Sequence, residues 1–500
     1  MKLERSTLNQ LDASIGRPNY PASALVERIV HIGVGGFHRA HEAVYTHRLL
    51  QEAEGSGWGI CGVGLREADR PMFETLNRQE GLYTLIELHP DGSRRLEVIG
   101  AIRRMLLAPE QPDAVMQVLV NPEVRIVSLT ITEGGYNVDD HSGEFRADHP
   151  DVRHDLAHPE SPVTVFGYLA EALNRRRAQG IAPFTILSCD NLPHNGDMTR
   201  KVMVAYARLR DPSLAEWIDT HVSFPNSMVD RITPVTLPAH REWLKAATGL
   251  EDAWPVVCEP FTQWVLEDDF CNGRPEWEKA GVQFVSDVTP YELMKLRLLN
   301  ASHSAMAYLG LLAGYRYTHD VMADPLFSDF IRAYMDEDAT PVLGDVPGMD
   351  LDGYKQTLIE RFGNPQMGDL LTRLASDGSG KLPKFVLPTV EGVVERGMPL
   401  KRVALILASW ACYLHRQGSE GEGEALQDPN KELLLAATRS RATLAEDLLG
   451  LTSVFGTRLQ ASQPLVQAIA SAIDRIEAVG GREALSEVMG TSVKGAVGHA

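Results

Sequence analysis

Cysteine is scarce in this chain of 500 residues, and its distribution does not indicate a disulfide framework. The five cysteines, Cys61, Cys189, Cys258, Cys271 and Cys412, form no Cys-x-x-Cys pair and no dense cluster of the kind found in small secreted domains. The sequence also lacks a His-Glu-x-x-His stretch and any cysteine-rich spacing typical of zinc sites. We therefore expect reduced thiols and no bound metal.

Long apolar runs and an excess of positive charge are also missing. The most apolar stretch, around 403–414, is too short to span a bilayer, and the opening MKLERSTLNQLDASIGRPNYP is polar where an export signal is apolar. Acidic residues outnumber basic ones by 67 to 48, and the resulting formal charge of −19 repels phosphate backbones and anionic lipids. These features predict a cytoplasmic protein with no nucleic-acid or membrane partner, and leave a monomer and a small homo-oligomer equally open.

The chain is longer than one hydrophobic core usually supports, so at least two domains are expected. Up to about residue 285, short β-branched runs alternate with helical patterns, which is typical of parallel βαβ units. Four of these runs are RIVHIGV (28–34), GICGVGL (59–65), VRIVSLTI (124–131) and FTILSC (184–189). After Thr289-Pro290 the pattern changes to long apolar-periodic segments with few strand signals. We predict an α/β protein, with a sheet-containing domain over 1–284 and a mainly α-helical domain over 285–500.

The strand RIVHIGV runs directly into a glycine turn, GVGGFHRAH, which is followed by a helical pattern. Gly33 and Gly35 allow a tight turn that brings backbone N–H groups and a helix N-terminus up to a pyrophosphate, as in Rossmann-type domains. His38 stands where the usual dinucleotide fingerprint has its third glycine. The segment therefore predicts either a dinucleotide-binding turn or an ordinary glycine-rich β–α turn.

A candidate ribose-binding acid follows the next predicted strand, in the sequence Arg66-Glu67-Ala68-Asp69. At this place a dinucleotide fold carries the acid that binds the adenosine ribose hydroxyls. Asp69 lies further from the glycines than the roughly 20 residues usual for the fingerprint. A solvated charged loop is the alternative, and Arg66 and Arg70 can instead bind a 2′-phosphate. NAD is predicted, with NADP left open.

The stretch TPYELMKLRLLNASHSAMAYLGLL, residues 289–312, predicts a buried helix that is apolar on nearly every side. Thr289 suits the N-cap position and Pro290 suits the first turn of this helix. We expect the helix to lie inside the second domain.

Polar side chains interrupt this apolar helix at four positions, Glu292, Lys295, Asn300 and His303. At about 100° per residue they share one side of a regular α-helix and can converge on one small molecule. Burial disfavours a charged lysine, so Lys295 can take a proton from a substrate hydroxyl, and the Asn300 amide can stabilise negative charge on the oxygen. His303 can orient the lysine or bind a hydroxyl. A surface Glu–Lys pair and a hydrogen-bonded core histidine are the alternatives.

Longer motifs along nearly the whole chain resemble the long-chain polyol-specific mannitol dehydrogenase family. They are HIGVGGFHRAH (31–41), SLTITEGGY (128–136), SCDNLPHNG (188–196), FPNSMVDRITP (224–234), CEPFTQWVLED (258–268), KLRLLNASH (295–303), RFGNP (361–365) and SDGSGKLPKF (376–385). The resemblance implies NAD-dependent interconversion of D-mannitol and D-fructose by hydride transfer without a metal. It also implies that 1–284 binds NAD and that 285–500 carries the catalytic and substrate-binding groups.

The resemblance further implies roles for individual residues. Lys295 is expected to be the general base, Asn191 and Asn300 the oxyanion-stabilising pair, and Glu292 part of a proton path. The expected substrate-binding residues are His303, Asp230, Arg373 and Lys381. The expected cofactor-binding residues are Ile32, Gly33, Val34, Gly35, Gly36, Phe37, His38, Arg39, Asp69 and Glu133.

Several alternatives stay open at this point. Some family members have two adjacent acids at the ribose site, whereas Ala68 precedes Asp69 here, which weakens the preference for NAD over NADP. A D-fructuronate reductase and a D-arabinitol 4-dehydrogenase are the alternative enzymes. A nucleotide-sensing protein without catalysis is the alternative from another class. The set Lys295, Asn300, Asn191 and His303 argues against it.

Overall fold

The computed structural model describes residues 1–52, 57–139, 143–419 and 426–490. The chain divides into two compact units, Met1–Thr289 and Pro290–Ala500. The boundary predicted from the sequence, between 284 and 285, lies shortly before this division. No helix in the described ranges is both long and apolar enough to cross a membrane.

Within the described residues every strand lies in the first unit, apart from a single bridge between Tyr317 and Leu370. The strands are β1 (Val26–Ile32), β2 (Trp58–Gly64), β3 (Tyr83–Leu88), β4 (Arg94–Ile99), β5 (Ile102–Leu107), β6 (Ile126–Leu129), β7 (Thr185–Ser188), β8 (Ser227–Asp230), β9 (Val256–Cys258), β10 (Gln263–Glu267) and β11 (Gln283–Val285).

The central sheet is parallel and has the order β5-β2-β1-β6-β7. Its strands β2, β6 and β7 are buried at every position, which explains why they read as continuous apolar runs in the sequence. Two smaller sheets have the orders β4-β3-β9 and β11-β10-β8. The prediction of four parallel strands is confirmed, whereas the edge strand β5 and both smaller sheets were missed.

Helices of the first unit cover both faces of the central sheet. They are α1 (Gly36–Ala40), α2 (Glu42–Glu52), α3 (Arg70–Arg78), α4 (Pro112–Val120), α5 (Pro150–Ala157), α6 (Val165–Ala178), α7 (Asn195–Arg210), α8 (Pro212–His221) and α9 (Pro238–Thr248). Val30 and Ile32 of β1 pack in a core with α4, α6, α7 and α8, whereas Ile29 packs in a core with α2, α3 and the smaller sheets. Alternate side chains of β1 therefore enter opposite cores, as the pleat requires.

The second unit is helical, as predicted. Its helices are α10 (Thr289–Met294), α11 (Ala301–Leu312), α12 (Thr318–Ala323), α13 (Pro325–Ala333), α14 (Thr340–Leu343), α15 (Leu351–Phe362), α16 (Leu371–Ala375), α17 (Gly378–Phe385), α18 (Leu387–Glu395), α19 (Lys401–Ser419), α20 (Lys431–Ala437), α21 (Leu444–Leu449), α22 (Thr452–Phe455), α23 (Gln463–Val479) and α24 (Gly481–Met489). Two further segments, Lys295–Asn300 and Tyr334–Ala339, are π-helices. A Rossmann-type first unit followed by a mostly helical second unit is thus the observed fold class.

Candidate active site

The glycine turn lies at the carboxyl end of β1, where the order of the central sheet reverses. The chain passes from β1 outward to β2 and β5, and then returns to β6 on the other side of β1. Such a switch point is the usual ligand crevice of open parallel sheets. Gly33 has φ +95° and approaches β6 so closely that a Cβ there would lie 2.1 Å from the Thr130 carbonyl oxygen. Position 33 therefore requires glycine.

The side chains of His38 and Arg39 point into the protein from helix α1. Arg39 donates from Nη1 to the Trp254 carbonyl at 2.8 Å and from Nε to the Gly35 carbonyl at 3.3 Å. Both residues are buried, at 1% and 4% exposure. Their side chains thus stabilise the turn from behind, and the backbone of the turn is the part that can receive a phosphate.

His38 occupies the place of the missing third glycine, and its ring fills the space between helix and strand. The ring stacks on His31 of β1, with centroids 3.5 Å apart. The Glu42 carboxylate lies 3.0 Å from His31 Nδ1 and 3.2 Å from His38 Nδ1, and Ser128 Oγ donates to both of its oxygens. This buried cluster replaces the close helix–strand contact that a glycine usually allows.

Ionisation within this cluster follows from burial and from the mutual contacts. Burial opposes the Glu42 charge, but hydrogen bonds from His31 and His38 outweigh it and hold the pKa of Glu42 well below its usual range. Burial and the neighbouring His31 lower the pKa of His38 to about 4. The cluster therefore keeps a carboxylate charged beneath the glycine turn.

His31, His38 and Glu42 have ligand atoms close enough to one another to hold a metal ion, and they form the one such group among the described residues. The two imidazole rings are stacked with only 17° between their planes. The nitrogen lone pairs lie in the ring planes. Because the two planes are stacked and nearly parallel, the lone pairs do not converge on one ion. The geometry is that of a hydrogen-bonded cluster, and we assign no metal to it.

Asp69 follows β2 in a short 3-10 turn, Glu67–Asp69, at the start of α3. Its carboxylate accepts from Arg66 Nη2 at 3.3 Å and from the Arg66 backbone N–H at 3.4 Å. Arg70 donates from Nε to Glu67 at 2.9 Å. Each arginine that was considered for a 2′-phosphate is thus paired with a carboxylate.

Three candidate residues of the first unit stand at strand ends. Glu133 is exposed and begins a 3-10 turn, Glu133–Tyr136, soon after β6, and Asn191 is exposed just beyond β7. Because β6 and β7 are parallel neighbours, both residues lie beyond the same end of the central sheet, where its strands have their carboxyl ends. Asp230 is the last residue of β8 and is 6% exposed.

The predicted helix over 289–312 is interrupted, and the prediction of one regular α-helix was wrong at its centre. Residues Lys295–Asn300 form a π-helix between α10 and α11. Thr289 is the first residue of α10 rather than its N-cap, and its backbone N–H donates to Asp287 Oδ1 at 2.9 Å.

The π-turn changes which side chains share a face. In a regular α-helix Lys295 and Asn300 would lie about 140° apart, at about 100° per residue. A π-turn bonds residue i to residue i+5, so Asn300 lies nearly above Lys295. Lys295 and Glu292 are buried, and the buried Asn300 Oδ1 has no hydrogen-bond partner among the described residues. Single π-turns occur frequently at functional sites.

The remaining candidates of the second unit lie in and around α11, α16 and α17. The His303 ring packs on Phe362, with centroids 4.8 Å apart. Arg373 is exposed and donates to both Asp369 oxygens, at 2.7 and 2.6 Å. Lys381 Nζ donates to the Leu374 carbonyl at 3.2 Å and the Arg373 carbonyl at 3.4 Å. Burial lowers the pKa of the Lys381 amine below its ordinary value.

Family models match most of the chain. The mannitol dehydrogenase Rossmann domain matches residues 27–279, and the mannitol dehydrogenase C-terminal domain matches residues 287–477. The chain belongs to the mannitol dehydrogenase family. A mannitol 2-dehydrogenase of Phaeosphaeria nodorum is 44% identical over 491 residues, which cover 97% of this chain and 85% of the relative. One from Aspergillus terreus is 44% identical over 486 residues, covering 95% of this chain and 97% of the relative.

Two solved structures of related enzymes are similar along nearly the whole chain. The Pseudomonas fluorescens mannitol 2-dehydrogenase, in a ternary complex with NAD and D-mannitol, is 50% identical, covers 98% of this chain and 100% of its own, and has a TM-score of 0.84. A D-sorbitol dehydrogenase in substrate-free form is 41% identical, with 97% and 100% coverage and a TM-score of 0.90. Membership of the mannitol dehydrogenase family, inferred from the motifs, is confirmed.

Sequence reasoning missed two buried carboxylates of the first unit, Glu42 and Asp190. Glu42 reads as a helix-surface acid, yet it is 1% exposed and contacts His31 and Ser128. Asp190 precedes Asn191 in the motif SCDNLPHNG, yet it is 7% exposed and accepts hydrogen bonds from residues more than 50 positions away. The available signal was position: Glu42 directly follows the motif 31–41, and Asp190 lies next to a candidate residue.

Proposed function

We propose that this chain is an NAD-dependent dehydrogenase that interconverts D-mannitol and D-fructose. The observation that carries this proposal is 50% identity, over 98% of this chain, with the Pseudomonas fluorescens mannitol 2-dehydrogenase whose structure contains NAD and D-mannitol. NAD, when bound, accepts the hydride from C2 of the polyol or returns it to the ketose. We assign cofactor binding to 1–284 and the catalytic and substrate-binding groups mainly to 285–500.

The first unit has features that fit a dinucleotide. Gly33 allows a turn that a Cβ would block, and this turn lies at the switch point of the central sheet. We propose that the backbone from Ile32 to Arg39 receives the pyrophosphate, that Asp69 binds the adenosine ribose, and that Glu133 lies near the cofactor. Arg66 pairs with Asp69, and Arg70 pairs with Glu67. These pairings support NAD over NADP, because a carboxylate already engages each arginine that could bind a 2′-phosphate.

The helical segment with the π-turn supplies the proposed proton chemistry. We propose that Lys295 takes the proton from the polyol hydroxyl during oxidation, and that Glu292, three residues earlier, passes it towards solvent. The Asn300 amide donates to the oxygen as negative charge develops, and Asn191 is the second proposed donor. Support comes from the burial of Lys295 and from the π-turn that places Asn300 above it.

The remaining candidate residues are proposed to bind the hydroxyl groups of the sugar. His303 follows Asn300 by three residues, Asp230 ends β8, and Arg373 and Lys381 lie close together in the second unit. Such a set, with Arg373 and Lys381 as donors, Asp230 as an acceptor and His303 able to do either, matches a substrate with many hydroxyl groups. We assign no metal to the reaction, since proton removal is proposed for Lys295 and charge stabilisation for the amides.

A second candidate function is oxidation of D-sorbitol. The D-sorbitol dehydrogenase structure is 41% identical over 97% of this chain and matches it with a TM-score of 0.90. Sorbitol and mannitol differ in configuration at C2, and oxidation at that carbon converts both to D-fructose. For oxidation at C2, the two functions therefore differ only in which face of the fructose carbonyl receives the hydride.

The experiment that tests the proposal is NADH oxidation, followed by absorbance, with D-fructose, D-fructuronate and D-xylulose at equal concentrations. Each assay is repeated with EDTA and with NADPH. We expect the fastest turnover with fructose and NADH, unchanged by the chelator. Preference for fructuronate would indicate a uronate reductase, preference for xylulose would indicate an arabinitol dehydrogenase, and turnover with none of them would favour a nucleotide sensor.

A further inference from the structure

Asp190 links the ends of two neighbouring strands through one buried carboxylate. It follows β7, and its Oδ1 accepts the Thr132 backbone N–H at 2.8 Å. Its Oδ2 accepts the Ile131 backbone N–H at 3.1 Å and the Tyr136 hydroxyl at 2.8 Å. All three donors belong to the segment that follows β6. One side chain therefore sets the position of that segment against the end of β7.

The same residues form a closed ring of hydrogen bonds. The Asp190 backbone N–H donates to Ser188 Oγ at 3.3 Å, and Ser188 Oγ lies 2.6 Å from the Tyr136 hydroxyl oxygen. Because Tyr136 donates to Asp190, Ser188 is left to donate to Tyr136. Each hydroxyl then donates once and accepts once, and such chains of hydrogen bonds strengthen one another.

The segment held by Asp190 contains a strained residue. Thr132 has φ +58° and ψ 169°, a conformation that is nearly confined to glycine and is unfavourable for a β-branched side chain. Thr132 is exposed, so packing of its side chain does not enforce this conformation. The backbone N–H groups of Ile131 and Thr132, on the N-terminal side of the strained φ bond, both donate to Asp190. The Tyr136 hydroxyl, from the C-terminal side of the turn, donates to the same carboxylate. The carboxylate therefore binds the chain on both sides of the strained residue.

The strained turn stands between two residues with proposed roles. Glu133 follows Thr132 directly, and Asn191 follows Asp190 directly, so a shift of the Asp190 contacts moves both. We propose that Asp190 is a positioning residue, which stabilises the strained 131–136 turn and thereby fixes Glu133 and Asn191 for cofactor binding and hydride transfer. This inference rests on the proposed dehydrogenase function.

Only a carboxylate satisfies all three donors of this turn. In Asp190→Asn one oxygen becomes an NH2 group, which faces a backbone N–H whichever way the amide is turned. Either Thr132 or Ile131 then loses its acceptor, and a buried donor without a partner is unfavourable. The variant keeps nearly the same volume, so the fold is expected to persist while the turn relaxes.

The test measures kcat, and KM for NADH and for fructose, in Asp190→Asn. A misplacement of the order of 1 Å can cost about 10²-fold in turnover, so we expect kcat/KM to fall by about that factor. Hydrogen–deuterium exchange gives a readout that does not need activity, and the 130–137 amides should exchange faster in the variant. Exchange elsewhere in the central sheet should stay close to that of the wild type.

Thr132→Gly provides the rescue, because glycine adopts the observed backbone conformation without strain. We expect Asp190→Asn to cost less turnover in the Thr132→Gly background than in the wild type. A role of Asp190 in general stability alone would give the same loss in both backgrounds. The double-mutant cycle thus separates positioning from stability.

Asp155 offers a matched control in the same unit. It is fully buried and accepts the backbone N–H groups of Val163 and Thr164, each at 2.8 Å, and the Thr164 hydroxyl at 2.6 Å. Thr164 has an ordinary φ of −91°. Asp155→Asn should therefore lower thermal stability by a comparable amount and leave kcat and the exchange of 130–137 unchanged.

Unchanged kinetics and unchanged exchange of 130–137 in Asp190→Asn would overturn the inference, and so would equal losses in both Thr132 backgrounds. If the wild type reduces no ketose, the proposed function fails, and the NADH dissociation constant together with the exchange data still decides the role of Asp190. Faster exchange with weaker NADH binding would then support positioning, and no change in either would reject it.

Discussion

In the first unit the candidate residues stand at or just beyond the ends of strands, whereas in the second unit the proposed catalytic residues stand within one helical segment. Strand ends are irregular, and the buried Asp190 carboxylate accepts backbone N–H groups there. The buried Glu42 carboxylate instead accepts from the Ser128 hydroxyl of β6. The helical segment satisfies its own backbone, and its irregularity is a single π-turn at Lys295–Asn300. Precision therefore comes from hydrogen bonds between distant residues in one unit and from helix geometry in the other.

Replacing Lys295 should have the largest effect. We expect Lys295→Ala to keep its NADH affinity and to lose about 10²- to 10⁴-fold in kcat, because a positioned base contributes that much. Lys355 is a matched buried lysine of the same unit and pairs with Asp336 at 2.5 Å. Lys355→Ala should lower thermal stability and keep kcat within about twofold. Near-normal turnover of the Lys295 variant would show that Lys295 is not the base.

The two asparagines compare the units directly, since Asn191 stands at a strand end and Asn300 on the π-turn. Each change to alanine should lower kcat by about 10²- to 10³-fold, which is the usual cost of removing one donor to a developing oxyanion. Single-turnover rates with saturating NADH measure the loss. A loss for only one of the two would assign oxyanion stabilisation to that unit alone.

Cofactor choice should depend on the first unit only. Asp69→Ala removes the proposed acceptor for the ribose hydroxyls and should reduce the preference for NAD over NADP by about 10- to 100-fold, from a charged hydrogen bond worth about 1.5–3 kcal/mol. The control is Glu74→Ala, which removes an exposed acid of α3 that faces Arg78 and should change the preference little. The ratio of kcat/KM values for the two cofactors is the measurement.

Lowering the pH below 6.5 should decrease the free energy of unfolding of the first unit. Burial is the main cause that lowers the pKa of His38 and of His41 to about 4, from an ordinary value of 6.5. The folded state therefore binds fewer protons than the unfolded state between these values, and the free energy of unfolding falls as pH decreases from 6.5 towards 4. Each residue contributes at most about 1.4 kcal/mol per pH unit.

Urea unfolding at a series of pH values, with hydrogen exchange to locate the change, tests this expectation. Amides of β1 and α2 should lose protection before those of α19 and α23. His38→Gln removes one of the titrating groups and should flatten the pH dependence. The same slope in this variant would exclude His38 as a contributor.

Regular elements could be predicted from the sequence because their signal is local. The strands β2, β6 and β7 are buried at every position, and β1 is buried from Ile29 to Ile32, so all four appear as short apolar runs. The edge strand β5 carries two exposed arginines, Arg103 and Arg104, which dilute the same signal. The helical second unit could be predicted from the helical spacing of its apolar residues.

The details that position side chains could not be predicted, because their causes are not local. A π-turn adds one residue to a helix, and the apolar pattern of 289–312 does not reveal it. Glu42 and Ser128 are 86 residues apart, and Asp190 and Tyr136 are 54 apart, so no period links them. Lys295 and Asn300 were visible as polar positions in an apolar helix, whereas Asn191 was available only through a family motif.

The most direct test of the central claim is the product formed from D-fructose with NADH that carries deuterium in place of both hydrogens at C4 of the nicotinamide. Mass spectrometry and chromatography of the polyol identify both the label and the configuration at C2. We expect D-mannitol with one deuterium on C2. D-Sorbitol as the product would assign the chain to the second candidate function, and a polyol without deuterium would contradict direct hydride transfer.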